Sequence, residues 1–319
     1  MKIGIIGGGM SGLIAARDLQ AAGHTVEIIE KSRSVGGRMA TRRINDGQAD
    51  HGAVYFTVRS DELKEEVKEW QTAGVVQEWF VADPYPRYVG LNGMNKIGKY
   101  LAEGLDVRLN EKVETITAKE GSIVLTASEQ LHYDVVILTA PIPQASELLG
   151  GSSLNLTQAD QKLKEYIFEP ALVGLVELNE NIQVGEYGLL DQDLPDGILK
   201  IVNNEDKGIS KNPILSIYMT GEWSEEWFDR EDKALEEVVR LTIEQLGDLS
   251  IASKQLKRWR YAQAKQVFKA PYYKLEQHPV WLCGDAFLEP DDPSGHTRVE
   301  SAYISGKRLA EHIIRFAQS

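Results

Sequence analysis

An α/β fold is predicted by three features at the start of the 319-residue chain. Apart from Lys2, residues 2–6 are apolar, and they are rich in β-branched side chains, which indicates a buried strand. Gly7, Gly9 and Gly12 follow with the spacing Gly-x-Gly-x-x-Gly, and a helical pattern over residues 13–22 begins at the last glycine. Strand, glycine turn and helix in this order are typical of a Rossmann-like domain that binds a dinucleotide.

Each residue of this motif has a physical role in the prediction. Gly7 permits the tight turn, Gly9 lets the backbone approach a pyrophosphate, and Gly12 lets the helix pack closely on the strand. A second strand over residues 25–29 ends in Glu30, whose carboxylate is placed to accept hydrogen bonds from a ribose diol. The alternative of an ordinary tight turn needs neither three glycines nor an acidic residue at the strand end.

Composition limits the classes of function. The chain is 42% hydrophobic and 26% charged, as expected for a globular protein, and its length suits two domains. A formal net charge of −13 argues against nucleic acid or an anionic membrane as the main partner. The histidines lack the spacing of a metal site, so we expect no metal. The single cysteine, the lack of a signal peptide pattern and the lack of a long apolar run predict a cytoplasmic protein without a membrane span.

A second glycine-rich segment follows Glu30. Gly36, Gly37 and Arg38 predict a loop that wraps closely around a ligand and places a guanidinium on a phosphate. Taken alone, the same residues also fit a surface turn with solvated charges. Their position directly after a dinucleotide motif favours the functional interpretation.

Together these residues resemble the FAD-dependent amine oxidase superfamily. Residues 50–57, DHGAVYFT, are similar to a segment of the renalase-like branch, in which the chain runs past the flavin ring. Members usually carry glutamine where this chain has Val54, so a polar role of that side chain is absent here. Residues 258–262, RWRYA, match a strand by which such chains re-enter the FAD domain.

The C-terminal part of the chain carries a second likeness to this superfamily. Residues 281–286, WLCGDA, resemble its second FAD fingerprint, in which Asp285 would bond ribityl hydroxyls or approach the pyrophosphate. The resemblance places the start of the last helix, near Val299, by N1 and O2 of the flavin, where free N–H groups would stabilise negative charge. We interpret Cys283 as a small core residue and expect FAD to be bound non-covalently.

The motifs and the resemblance together predict these cofactor-binding residues: Gly7, Gly9, Met10, Ser11, Gly12, Glu30, Lys31, Gly37, Arg38, His51, Gly52, Ala53, Val54, Val113, Ala140, Gly284, Asp285, Arg298, Val299 and Ala302. The resemblance implies a glutathione-reductase-type (Rossmann-like) FAD-binding domain, over residues 1–57, 99–149 and 279–319. It further implies a second, α+β substrate domain with a mixed or antiparallel sheet, over residues 58–98 and 150–278. Residues 106–137 are interpreted as a meander of strands that crosses over the Rossmann sheet.

No side chain is identified as a certain acid or base. Candidate substrate-pocket residues are Tyr55, Arg87, Tyr218, Trp223 and Tyr261. Arg87 lies in a predicted rigid loop of prolines and tyrosines over residues 83–88. Packing of these residues explains the pattern as well as a substrate site does. Tyr218 stands where the family often has histidine, and core packing is the default explanation for Trp223.

Four functions are compatible with this pattern. The renalase-like resemblance implies oxidation of isomeric dihydronicotinamide dinucleotides to NAD(P)⁺, with O₂ as acceptor and H₂O₂ as product. A flavin amine oxidase for a small primary amine is the alternative within the class, and a non-catalytic partner-binding protein on the same fold is the alternative outside it. An NAD-only dehydrogenase would leave Gly36, Gly37, Arg38 and Asp285 without a purpose.

Overall fold

The computed structural model describes residues 1–82 and 84–318. Its helices are α1 Met10–Ala21, α2 Asp61–Thr72, α3 Asn95–Leu101, α4 Ile142–Gly150, α5 Gln158–Gln161, α6 Gly221–Trp227, α7 Glu231–Leu246 and α8 Val299–Gln318, with a 3₁₀ turn at Lys162–Glu165. Its strands are β1 Lys2–Ile6, β2 Thr25–Ile29, β3 Thr41–Ile44, β4 Gly47–Asp50, β5 Val76–Ala82, β6 Tyr85–Gly90, β7 Asp106–Arg108, β8 Thr115–Lys119, β9 Ser122–Thr126, β10 Gln130–Tyr133, β11 Val135–Leu138, β12 Phe168–Leu178, β13 Leu189–Leu190, β14 Ile198–Asn203, β15 Ile214–Met219, β16 Ile251–Ala264, β17 Tyr273–Lys274 and β18 Val280–Leu282.

The chain divides into two compact units. The first comprises residues 1–37, 98–167 and 264–319, and the second comprises residues 38–97 and 168–263. The segment 38–57, predicted to belong to the FAD-binding domain, thus groups with the second unit by its contacts. The division into functional domains given above stays a prediction.

The first unit is built on a six-stranded sheet in the order β17-β18-β11-β1-β2-β7. Strands β18, β11, β1, β2 and β7 run parallel, and β17 pairs antiparallel with β18. Residues 3–6 of β1 are buried, as expected for a central parallel strand covered on both faces. The predicted α/β, Rossmann-like fold is therefore confirmed.

The predicted meander over residues 106–137 is only partly correct. Strands β8, β9 and β10 form a separate antiparallel sheet, whereas β7 and β11 belong to the parallel sheet. Strand β7 pairs in parallel with residues 27–29 of β2 and so extends the parallel sheet by one strand. A local apolar pattern does not reveal which sheet a three-residue strand will join.

Two helices of the first unit pack against each other through a very close approach. A Cβ atom built on Gly306 of α8 would lie 2.3 Å from the carbonyl oxygen of Ser11 on α1. Glycine at position 306 therefore lets α8 lie directly on the helix that begins at the glycine turn. This packing joins the two ends of the sequence within one unit.

The second unit is built on a sheet in the order β13-β14-β15-β12-β16. Strands β13, β14, β15 and β12 pair antiparallel. Residues 85–88, predicted as a loop, lie in β6, which forms a hairpin with β5. Proline is tolerated there because β6 is an edge strand of a two-stranded sheet, while Asp83 lies outside the described residues.

The two faces of this sheet carry different clusters. Leu215, Ile217 and Met219 of β15 join one core cluster that also includes residues of α7. Ile214 and Tyr218, which alternate with them, join a second cluster that contains Val54 and packs against Tyr55, Trp79 and Trp259. No helix among the described residues is long and apolar enough to cross a membrane.

Candidate functional site

The glycine turn of the first unit has the geometry that its sequence predicts. Gly7 has a φ of +112°, a conformation that side chains disfavour, and its N–H donates to the carbonyl oxygen of Ile29 at 2.9 Å. A Cβ atom on Gly12 would lie 2.3 Å from the carbonyl oxygen of Gly7. Both positions therefore require glycine for the turn itself.

Gly9 differs from its neighbours because nothing among the residues that the structure describes would obstruct a side chain there. A Cβ atom built on Gly9 has no neighbour within 4 Å, and Gly9 precedes α1 without a side-chain cap on that helix. The first N–H groups of α1 are therefore left to a ligand or solvent. The second glycine segment is close by, since the Gly36 N–H donates to the Gly8 carbonyl at 2.8 Å.

Glu30 ties this turn together. Its buried carboxylate accepts hydrogen bonds from the N–H groups of Gly8 and Ser32, both at 2.7 Å. The N–H of Glu111 donates to the Glu30 carbonyl at 2.9 Å, which places the buried residue Val113 two residues further along that connection. A carboxylate has four acceptor positions, so Glu30 can still accept hydrogen bonds from ribose hydroxyls. Lys31, which is also predicted to bind the cofactor, is exposed.

The remaining predicted residues of the first unit lie on two other segments. Thr139 donates to the Gly7 carbonyl at 2.9 Å and so brings Ala140 to the glycine turn. Gly284 donates its N–H to Ser305 of α8 at 2.9 Å, and Ser301 donates to the Asp285 carbonyl at 2.9 Å. The segment of Gly284 and Asp285 is thereby fastened to α8.

The side chain of Arg298 forms ion pairs with two carboxylates of the protein. Its guanidinium bonds to Asp292 at 2.6 Å and to Glu300 at 2.5 Å, and its backbone N–H donates to Ser301 at 2.8 Å. These contacts fix the start of α8 at Val299. Arg298 therefore stabilises the helix N-terminus, and its place as a direct cofactor contact stays a prediction.

In the second unit, residues 51–54 are held against the chain near Arg38. The N–H of Ala53 donates to the Arg38 carbonyl at 2.8 Å, and a Cβ atom on Gly52 would lie 1.9 Å from that oxygen. The Arg38 guanidinium donates to the Ala262 carbonyl at 2.9 Å. Glycine at position 52 is thus explained by this backbone contact within the unit.

His51 is held by an aromatic partner. Its ring stacks on Trp259 with centroids 5.4 Å apart, and the Trp259 indole N–H donates to the His51 carbonyl at 2.6 Å. Burial, with Lys257 nearby, lowers the pKa of His51 to about 4. The imidazole is therefore neutral at physiological pH.

Tyr55 and Arg87, both predicted for a substrate site, lie together. The Arg87 guanidinium carbon is 5.2 Å from the centroid of the Tyr55 ring, and the Lys200 ammonium is 5.8 Å from it. Trp79 completes the group at 6.2 Å between ring centroids. Burial, with Arg87 adding to it, lowers the pKa of Lys200, while Asp191 opposes the shift.

Of the other three candidates, Tyr218 pairs in register with Lys200 and packs in the same core cluster as Tyr55 and Trp79. Tyr218 is buried, and its hydroxyl donates to the Asp50 carbonyl at 3.0 Å. Trp223 stacks on Trp227 at 5.3 Å and packs in the cluster on the opposite face of the sheet. Tyr261 pairs edge-on with Phe168 at 6.4 Å. Their assignment to a substrate pocket stays a prediction.

Sequence reasoning missed Lys200, Lys207 and Trp79. Lys200 and Trp79 lie on two strands, β14 and β5, that are more than 100 residues apart in the chain, so no local motif marks their proximity to Tyr55. Lys207 is almost completely buried, and lysine is rarely so. A lysine within a turn carries no signal of burial in a single sequence.

The first unit defines a protein that binds a dinucleotide on a Rossmann-like sheet, and its open Gly9 face, uncapped α1 and buried Glu30 fit FAD. A family profile described as "NAD(P)-binding Rossmann-like domain" matches residues 5–70, and one described as "Flavin containing amine oxidoreductase" matches residues 70–314. The chain belongs to this flavin-containing amine oxidoreductase family. The predicted superfamily and the predicted FAD cofactor are confirmed.

Individual relatives match only in part. An L-amino-acid oxidase of Siganus canaliculatus is 36% identical over 115 residues, which cover 35% of this chain and 21% of the relative. A flavin-dependent L-tryptophan oxidase of Lentzea aerocolonigenes is 46% identical over 46 residues, covering 14% and 10% of the two chains. The chain thus spans about a fifth or less of the length of these curated relatives.

Solved structures match over the full length. A protein from Exiguobacterium sp. 255-15, assigned as a protoporphyrinogen oxidase, has a TM-score of 0.76 at 12% identity and covers 98% of both chains. Putrescine oxidase bound to putrescine has a TM-score of 0.68 at 15% identity, covering 99% of both chains. At this level of identity, the similarity shows the fold alone.

Proposed function

We propose that this protein is an FAD-dependent oxidoreductase of the renalase-like branch, which oxidises isomeric dihydronicotinamide dinucleotides to NAD(P)⁺ with O₂ as the acceptor. The family assignment and the glycine turn support the flavin chemistry. The similarity of residues 50–57 and 258–262 to renalase-like segments supports the branch.

Residues of the first unit would hold the cofactor. The open backbone at Gly9 and the N-terminus of α1 would bind the pyrophosphate, and Glu30 would accept from the ribose hydroxyls. When bound, FAD supplies a hydride acceptor at N5 and returns the electrons to O₂, giving H₂O₂. The fixed start of α8 at Val299 presents N–H groups that favour negative charge.

The observation that carries the substrate assignment is the pair of cations on the Tyr55 ring. Arg87 and Lys200 both approach this ring, and burial lowers the pKa of Lys200. An arriving anion would stabilise both charges. A dihydronicotinamide dinucleotide would bring a diphosphate to this pair and a flat, uncharged ring to Tyr55 and Trp79, whereas a diamine would add repulsion.

The chemistry needs no general base from Tyr218. Burial, with the Asp50 carboxylate adding to it, raises the pKa of Tyr218 well above its ordinary value, so the phenol stays protonated. Its proton is directed at the Asp50 carbonyl. Transfer of a hydride from a dihydronicotinamide carbon leaves an aromatic cation and requires no proton transfer, which is consistent with a protonated phenol here.

Oxidation of a primary amine is the second candidate. The aromatic pair of Tyr55 and Trp79 and the membership of the family favour it. An amine that also carries a carboxylate, such as an amino acid, would satisfy Arg87 and Lys200, but a simple amine or diamine would not.

Anaerobic flavin reduction separates these candidates. The purified, FAD-loaded protein is mixed without oxygen with isomeric dihydronicotinamide dinucleotides, the corresponding mononucleotides, L-amino acids and putrescine, and flavin bleaching is followed. We expect the dinucleotides to bleach the flavin fastest. Bleaching by amino acids or amines alone would overturn the proposed substrate, and a colourless protein that cannot be loaded with FAD would support a non-catalytic role.

A further inference from the structure

A buried ion pair lies at the centre of the second unit. The Lys207 ammonium, with a fully buried side chain, bonds to the Asp50 carboxylate at 2.6 Å. Removing two charges from water is costly, and a buried ion pair is by itself weak evidence for stability. The role of this ion pair is therefore inferred from the other contacts of Asp50 and Lys207.

Asp50 uses all of its polar groups in addition to this pair. Its second carboxylate oxygen accepts from a hydroxyl and a backbone N–H, its carbonyl accepts from two hydroxyls, and its N–H donates to an amide oxygen. These partners are Thr41 at 2.5 Å, Met94 at 2.9 Å, Ser216 at 2.7 Å, Tyr218 at 3.0 Å and Asn204 at 3.2 Å. Asp50 is thus fixed from three directions by strands and turns of its own unit.

Lys207 makes a second bond, four residues further along the same segment. Its ammonium also donates to the carbonyl oxygen of Val54 at 2.6 Å. One cation therefore joins the side chain of residue 50 to the backbone of residue 54 and spans residues 51–53. The ammonium also lies 5.5 Å from the centroid of the Trp79 ring, which neighbours Tyr55.

We propose that Lys207 is a positioning residue that holds residues 50–54 in one conformation. This segment carries the predicted flavin contacts His51, Gly52, Ala53 and Val54. The inference rests on the proposed cofactor binding, and it does not depend on which substrate is oxidised. Burial lowers the pKa of Lys207, and the Asp50 carboxylate opposes that shift by stabilising the ammonium.

The bond from Lys207 to the Val54 carbonyl distinguishes two roles. A purely structural ion pair does not depend on this bond, whereas a positioning residue does. Asp50→Asn removes the buried anion, and Lys207, which can lose a proton once its partner is gone, still has N–H groups to donate to the Val54 carbonyl. Asp50→Asn/Lys207→Met removes both charges together and leaves that carbonyl without its donor. Lys207→Met alone would leave a buried, unpaired carboxylate and is expected to fold poorly.

Hydrogen exchange measures the segment directly. The N–H groups of His51, Ala53 and Phe56 are hydrogen-bonded in the folded protein. We expect peptides covering residues 50–57 to exchange about tenfold faster in the double variant of the FAD-loaded protein than in Asp50→Asn. Thr242→Val, which removes a buried hydrogen bond on α7 of the same unit, is the matched control and should leave this segment protected.

The absorption spectrum and midpoint potential of the bound flavin are the second readout. We expect both to change in the double variant and to stay at wild-type values in Thr242→Val, while Asp50→Asn, which keeps the bond to the Val54 carbonyl, should change them less than the double variant does. Unchanged hydrogen exchange in the double variant would show that Lys207 does not hold residues 50–54. Faster exchange with an unaltered flavin spectrum and midpoint potential would overturn the positioning role. Neither readout uses a substrate, so failure of the dihydronicotinamides leaves this test intact.

Measurement of the wild-type protein covers the case in which the double variant does not fold. If residues 51–56 exchange as fast as the turn at residues 179–185, the segment is not held and the inference is wrong. Exchange as slow as that of the buried strand β15 supports it. A protein that binds no FAD would overturn the proposed function and the positioning role together.

Discussion

The imidazole of His51 lies against the indole of Trp259, with 23° between the ring planes. The Trp259 N–H donates to the His51 carbonyl, so the two residues are joined through both side chain and backbone. Burial lowers the pKa of His51 to about 4 because a charged imidazole would lose its hydration there. The stack is therefore a contact of the neutral ring, and the loss of hydration on burial opposes protonation.

His51 is expected to make stability depend on pH. In the unfolded chain this imidazole takes up a proton below about pH 6.5, but in the folded chain it does so only below about pH 4. Its contribution is thus complete above pH 6.5 and is lost as the pH falls towards 4, by up to ~3 kcal/mol. Urea unfolding followed by circular dichroism at pH 7.5 and 5 measures this loss.

Two variants provide the comparison for His51. His51→Gln should lose less stability between these pH values than the wild-type protein, since glutamine does not titrate. His132→Gln, at an exposed position on β10, is the control and should follow the wild-type curve. Equal pH dependence in His51→Gln and the wild type would show that this imidazole is not buried as described.

Gly9 and Gly12 are expected to respond differently to alanine. A methyl group on Gly12 would lie 2.3 Å from the Gly7 carbonyl, so Gly12→Ala should destabilise the protein by several kcal/mol, as overpacking against rigid backbone does. A methyl group on Gly9 meets no atom within 4 Å in the described part of the chain and projects where a pyrophosphate is proposed to bind. Gly9→Ala should therefore keep the melting temperature of the apoprotein but bind FAD at least about tenfold more weakly.

Thermal unfolding of the apoprotein and titration with FAD, read by flavin fluorescence, separate the two effects. Gly23→Ala is a useful control, because Gly23 also has open space around it but lies at the other end of α1. Its φ of +86° predicts some loss of stability without loss of FAD affinity. Normal FAD affinity in Gly9→Ala would mean that the pyrophosphate does not approach this backbone.

The sequence allowed the glycine turn, β1, α1 and β2 to be predicted because their signals are local. Gly7 is required by its own positive φ and Gly12 by a contact five residues away, and Glu30 bonds to the turn that its spacing predicts. The cluster of Tyr55, Arg87 and Lys200 depends on side-chain contacts between segments far apart in the chain. Periodicity alone gives the strands of the second unit but not their register, so it could not show that Lys200 reaches Tyr55.

The same limit explains Tyr218 and Trp223. Both are aromatic residues near the end of β15, and their sequence positions are five apart. The structure places them on opposite faces of one sheet, in different core clusters. They differ because side chains of β15 alternate between the two faces of the sheet and because Trp223 already lies in α6. The exact end of a strand is weakly encoded in sequence.

Cys283 is expected to be inert in the folded protein. It is completely buried at the end of β18, and burial raises the pKa of its thiol to about 12. The thiolate required for alkylation is therefore both scarce and inaccessible. Iodoacetamide should leave the native protein unmodified by mass spectrometry and add one group in guanidinium chloride, whereas modification of the native protein at neutral pH would contradict this burial.

Removing the cations around Tyr55 should weaken the binding of an anionic substrate. Arg87→Gln and Lys200→Gln each remove one charge that approaches the ring, and each should raise the KM for a dihydronicotinamide dinucleotide by about tenfold. The limiting rate of anaerobic flavin reduction should change little, since neither charge is assigned to hydride transfer. Stopped-flow absorbance at increasing substrate concentration gives both values.

The sharpest form of this test compares substrates with and without the second phosphate. Each variant should lose more affinity for the dinucleotide than for the mononucleotide, because a diphosphate can contact both Arg87 and Lys200. Arg240→Gln removes an exposed charge of α7 in the same unit and should leave both KM values unchanged. If Arg87→Gln and Lys200→Gln instead raise the KM only for L-amino acids that bleach the flavin, these cations bind a carboxylate, and the amino-acid oxidase reading replaces the dinucleotide one.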